Sequence, residues 1–302
     1  MPLRAAVDFL LLAAIWGASF LCMRIAAPEL GAIPVALLRC GIGAATLLVV
    51  LVGTGKLRSL GEHAASTGLI GVVNSAIPFV LLGYASVTLT AGITSVLNSL
   101  APLWAAVVAY LWLGERLTRR QMLGLVCGVV GVMTLVSGSQ REAPSSETLT
   151  IMLAFGAAVA ATFCYGAGAN LAKLRTPGVN PLVVATGSQL GATIALLVPG
   201  IARWPDTVPT SARLWAAVVV LGVVCTGLAY ILFFRLVATV GATRTVAVTF
   251  VIPVFGIAWG MLLLGERLTP IMMLGAVIVV IGTVLTTVPT RALPTPQHPT
   301  RS

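Results

Sequence analysis

Apolar residues run along this chain in blocks of about twenty, and the short segments between them hold most of the charge. A helix that crosses the roughly 30 Å hydrocarbon core of a bilayer needs an apolar stretch of about that length. The pattern predicts ten spans, at 8–27, 34–53, 68–88, 91–113, 120–138, 149–170, 181–201, 213–234, 243–264 and 271–288. The first block follows Arg4, as a signal peptide would, but it continues through GASFLCMRIAA without a small-x-small cleavage site. A retained helix is therefore expected.

A second pattern lies over the first. The hexapeptide LGERLT occurs at Leu113–Thr118 and again at Leu264–Thr269. Aligned without a gap, Pro102–Gly131 and Pro253–Gly282 share 14 of 30 positions, more than apolar composition alone produces. Upstream, Trp16-Gly17 answers Tyr165-Gly166, Arg24 answers Lys173, and Pro34 corresponds to Pro181. The chain reads as a tandem duplication of a five-span unit, residues 1–138 and 149–288, with a linker at 139–148 and a Pro-rich, polar tail at 289–302 expected to be disordered and cytoplasmic. An odd number of spans makes the second unit enter from the opposite side. The expected fold is an all-α integral membrane protein whose ten transmembrane helices form two inverted five-helix repeats. Two similar halves that exchange conformations suit a secondary transporter.

WGASF at Trp16–Phe20, ALLRC at Ala36–Cys40 and the paired P…LGERLT…LG segments resemble the EamA-type family of the drug/metabolite transporter superfamily, over essentially the whole chain. The resemblance implies a bacterial inner-membrane exporter or exchanger of amino acids or related small metabolites. It implies no particular substrate, and a drug or nucleotide-sugar transporter of the same superfamily is the nearest alternative. The halves are chemically unequal: no arginine near Thr186–Gln189 answers Arg39, and Thr243-Arg244 replaces Gly92-Ile93.

Composition agrees with the spans: 58% of residues are hydrophobic and 9% charged, where a soluble domain has roughly 25% charged. The net charge of +10 is spread unevenly. With the N-terminus inside, Arg4, Lys56, Arg58, Arg116, Arg119, Arg120, Lys173, Arg175, Arg235, Arg244, Arg291 and Arg301 fall on the cytoplasmic side, and only Arg141, Arg203, Arg213 and Arg267 fall outside. This bias favours both termini in the cytoplasm and accounts for the charge without a nucleic-acid partner, and the family resemblance implies the inner (plasma) membrane. The expected partners are a small-molecule substrate and membrane lipid, with a homodimer allowed. No cofactor is expected.

Chemistry narrows the reading further. Cys22, Cys40, Cys127, Cys164 and Cys225 are scattered singly and suggest neither disulfides nor a metal site. No GxxxxGK[ST] loop supports ATP-driven transport, and no HExxH or cluster of His, Asp and Glu supports an intramembrane enzyme. Every acid falls near a span end or in a loop, so facilitated diffusion is expected, or coupling through an edge carboxylate such as Glu29. A channel is the remaining rival.

Candidate substrate contacts are Trp16, Arg39, Asn74, Tyr84, Asn98, Tyr165, Asn170, Gln189, Tyr230 and Arg244, the polar and amphipathic residues that must face the bundle or a cavity. Arg39 and Arg244 are candidates for an anionic group such as a carboxylate, with a boundary position that serves topology as the alternative. Arg24 and Lys173 lie near enough to span ends to snorkel. Pro78, Pro102 and Pro253 are kink positions, either hinges or packing shapes. Glu115, Arg116, Glu266 and Arg267 read as turn residues, with Thr118 and Thr269 capping the following helices. A gating role through switching salt bridges is the alternative.

Overall fold

The computed structural model describes residues 2–142 and 147–287, so the tail at 289–302 and the centre of the linker lie outside the described residues. Among them are ten helices long and apolar enough to cross a membrane: Leu3–Leu30, Ala32–Gly53, Ala64–Thr88, Ala91–Leu113, Arg119–Gln140, Thr148–Arg175, Pro181–Ala202, Ala212–Val240, Arg244–Leu264 and Pro270–Thr287. A short helix, Leu57–Glu62, precedes the third span.

Several helices outrun the expected blocks. The first is longer at both ends, the sixth continues to Arg175 and the eighth to Val240. Hydropathy marks where the hydrocarbon ends, whereas the hydrogen-bond ladder continues until a residue breaks it. Gly31 and Gly241 do so at φ 89° and 85°, and Gly114 and Gly265, the glycines of the two hexapeptides, end the fourth and ninth spans in the left-handed conformation.

The packing maps onto itself when the halves are exchanged. The first span lies against the ninth as the sixth lies against the fourth, and the third lies against the sixth as the eighth lies against the first. The second and seventh, fourth and ninth, and fifth and tenth spans pair across the axis. The last pair shows the symmetry residue by residue. Gly124 approaches the backbone of Gly282, and Gly131 approaches that of Gly275. Gly124 and Gly275 are matched in the alignment, as are Gly131 and Gly282. Reciprocal contacts of this kind define a two-fold axis. A Cβ at any of these four glycines would meet backbone, so the shared glycines let the two helices pack closely.

Two helices change pitch along their length. Val72–Ala76 in the third span and Val220–Leu228 in the eighth, matched places in the two halves, are π-helical. The fourth span is broken at Ser99-Leu100, and Pro102 lies in the first turn of the segment Ala101–Leu113. Proline tolerates that place because the N–H it lacks would have no partner there.

Candidate functional site

A cavity of about 720 Å³ lies between the halves. Its lining includes Gln121 at the start of the fifth span, Ala172 at the end of the sixth, Phe234 near the end of the eighth, Val246 at the start of the ninth and Thr287 at the end of the tenth. All five positions belong to the face on which the first helix begins, here called the N-terminal face. At the other end the lining stops at Met23, Arg39, Leu82 and Asn98, each six or seven residues from the far ends of their spans. The cavity therefore opens toward the N-terminal face and is closed toward the far face.

Arg39 sits at this floor, 6% exposed. Its Nε donates to Thr226 Oγ1 at 3.1 Å, one terminal nitrogen lies 3.6 Å from Met23 Sδ, and the guanidinium carbon stands 3.7 Å above the centre of the Phe79 ring. These contacts orient the cation and leave its charge intact. Among the described residues no carboxylate pairs with it, and none lines the cavity. The π-turn of the eighth span aims the acceptor: the Thr226 hydroxyl donates to Leu221 O, five residues back, at 2.9 Å and receives the arginine on its other side. Ser19 Oγ, buried in the same wall, has no hydrogen-bond partner.

Aromatic rings and small apolar side chains form much of the remaining wall. Trp16 meets Phe233 at 5.6 Å between centroids, Phe79 meets Tyr165 at 6.5 Å edge-on, and Tyr230 stacks on Phe234 at 6.0 Å. One buried cation in an aromatic and apolar chamber suits a small solute with an anionic group and an apolar body.

Of the residues expected from the sequence, Trp16, Arg39, Asn74, Asn98, Pro102, Tyr165 and Tyr230 line the cavity. The others lie elsewhere. Tyr84 is 45% exposed on the outer surface. Asn170 is turned into a helix contact, with Nδ2 donating to Ala105 O at 3.0 Å and Gly166 O at 2.9 Å. Gln189 is fully buried, holding Ser75 Oγ at 3.0 Å from behind the wall. Arg244 is exposed at the edge of the ninth span. Pro78 lies just after the π-segment of the third span, and Pro253 is buried within a continuous helix, Val248–Leu264; neither lines the cavity. Ser19, Met23, Phe79, Ser188, Thr226, Phe233 and Phe234 were not expected there. The one available signal for them was Arg39 itself, since whatever surrounds a lone buried cation must solvate it.

The two hexapeptides lie at opposite ends of the bundle. Thr118 Oγ1 accepts from Gln121 N and Gln121 Oε1 accepts from Thr118 N, a reciprocal cap; Thr269 Oγ1 accepts from Met272 N. Arg116 and Arg267 are exposed. Each glutamate pairs with the cation of the opposite half: Glu115 with Lys173 at 2.8 Å, and Glu266 with Arg24 at 3.7 Å. Asp8 and Arg235 join the start of the first span to the eighth.

Ten spans in two inverted halves around one cavity define a multi-pass membrane transporter. The chain belongs to the EamA-like transporter family, whose sequence profile matches residues 4–137 and 152–288. It is 26% identical over 270 residues to an uncharacterized transporter of Archaeoglobus fulgidus, covering 88% of this chain and 92% of that one. It is 24% identical over 288 residues to a probable terminal-alkyne amino-acid exporter of Streptantibioticus cattleyicolor, covering 94% of each. A crystal structure of 18% sequence identity shares the fold, with a TM-score of 0.65 over 94% of this chain and 96% of the other.

Proposed function

We propose that this protein is a secondary transporter that exports small carboxylate-bearing metabolites, amino acids or related zwitterionic or anionic compounds, by alternating access between repeats 1–138 and 149–288. The reading places it in the inner membrane with both termini cytoplasmic, so that the open cavity faces the cell interior. The observation that carries it is Arg39, a buried cation at the closed end of the chamber with no carboxylate among the described residues to meet. An unpaired charge in that place is costly unless water or a ligand takes it up. The likeness to a probable terminal-alkyne amino-acid exporter supports an amino-acid-like solute. A nucleotide sugar is less well served, because its two phosphates would meet a single arginine.

Purified protein in proteoliposomes, loaded with panels of amino acids and of apolar carboxylic acids, tests the reading by counterflow. Saturable exchange of at least one panel is expected, reduced in Arg39→Met. Flux equal to that of empty liposomes for both panels would overturn it, and unitary conductance in a planar bilayer would make the protein a channel.

A further inference from the structure

The glutamates of the two hexapeptides occupy matched places, yet their surroundings differ. Glu266, in the turn after the ninth span on the far face, is drawn inward, its side chain 11% exposed. Both carboxylate oxygens lie 3.0 Å from the backbone N–H of Ala91, the first residue of the fourth span, where the helix terminus favours negative charge. Arg24 of the first span lies 3.7 Å from Oε1 and donates to the carbonyls of Ser86, at 2.9 Å, and Val87 at the end of the third span. A single carboxylate of the second half thus gathers the far ends of three spans of the first. Position 260 is glycine, and a Cβ there would fall on Glu266 Oε2, so the carboxylate would have to shift from this seat.

On the N-terminal face the same parts are less engaged. Glu115 meets Lys173 at 2.8 Å, but their side chains are 55% and 65% exposed, and the cavity runs out beside them past Ala172, Phe234 and Val246. The residue matched to Gly260 is Ala109, which carries the Cβ that Gly260 lacks.

We propose that Glu266, Arg24 and Gly260 form the far-face lock of the transport cycle, with Glu115 and Lys173 as its N-terminal-face counterpart, and that the two locks are completed in alternation. This rests on the alternating-access reading above. When the cavity opens to the far face, Glu266 leaves Ala91 and the far ends of the first, third and fourth spans separate. Glu115 then moves toward the start of the ninth span and shuts the N-terminal face. The alanine at 109 makes that second seat shallower than the first, so the resting protein keeps its far face shut. Arg24 is the charged side chain that faces Glu266 from the first span; Arg213 and Arg267 stand nearby on the far face, exposed to solvent.

The test uses the full chain in sealed vesicles of both orientations, with the five native cysteines replaced and Asn98→Cys at the cavity floor as reporter for a membrane-impermeant thiol reagent. Glu266→Gln and Gly260→Ala are expected to raise labelling from the far face by roughly tenfold, the scale of losing one hydrogen bond to a charged group, and to lower it from the N-terminal face. Ala109→Gly, which deepens the other seat, is expected to shift labelling in the same direction without touching the far-face residues. Unchanged labelling from both faces in all three variants, at unchanged melting temperature, would overturn the lock. Labelling needs no substrate, so the two readings fail separately: a labelling shift without solute flux sinks the transporter, and solute flux with fixed labelling sinks the lock.

Discussion

At Arg39 three contacts fix the direction of a guanidinium without neutralising it: Thr226 on Nε, Met23 sulfur on a terminal nitrogen, and the Phe79 ring beneath its central carbon. Removing the charge strands no partner charge, so Arg39→Met should keep the fold while weakening binding. A hydrogen bond to a charged group is worth about 1.5 to 3 kcal/mol, which predicts a rise of roughly ten- to a hundredfold in the concentration for half-maximal counterflow. Arg39→Lys keeps the charge but loses the guanidinium contact over Phe79 and the Nε bond, and should fall between the two. Tyr84→Ala provides the contrast: its ring is on the outer surface, and counterflow should be unchanged within error. The different fates of these two residues show what a sequence can reveal inside a membrane. A lone arginine within a span announces a cavity or a partner by its cost alone. Tyr84, Asn170 and Gln189 carry a smaller cost that a helix contact can meet, and a helix apolar on every side gives no periodicity to say which way they point.

The spans themselves are legible from their length, and their irregularities are not. Pro78 offers a hint of the π-segment at Val72–Ala76, whereas Val220–Leu228 has the same pitch with no proline near it. Both segments set side chains of the cavity wall: Asn74 in one, Cys225 and Thr226 in the other. Each third span of a half must also lie close to a neighbour, and the third achieves this at Gly71, where a Cβ would strike the carbonyl oxygen, carbonyl carbon and Cα of Ser188 in the seventh span. Backbone cannot turn aside as a flexible side chain can. Gly71→Ala is therefore expected to destabilise by about 1 to 3 kcal/mol, seen as a lower melting temperature in detergent. Gly53→Ala, with open space around it, should leave melting almost unchanged. Equal melting temperatures for the two variants would mean that the third and seventh spans do not meet as described.

Over the whole molecule, duplication and inversion make separate claims on the chain. Duplication is visible in the shared residues of the two hexapeptide segments. Inversion follows from an odd number of spans per unit, and it appears in the structure as the reciprocal approach of Gly124 to Gly282 and Gly131 to Gly275, an arrangement that two units facing the same way would not produce. The exposed arginines of the two motifs, Arg116 and Arg267, then belong to opposite sides of the bilayer although their local sequences agree over six residues. Single cysteines at these positions, in a background without the native five, test the claim directly. An impermeant maleimide applied to intact cells should label Arg267→Cys and leave Arg116→Cys unmodified, and inverted vesicles should reverse the result. Because both sites are solvent-exposed loop positions flanked by the same residues, intrinsic reactivity is matched and sidedness is the variable left to differ. Labelling of both from the same side would require an even number of crossings between them, which would remove the axis, the alternation of the two locks and the expectation that both termini share one face.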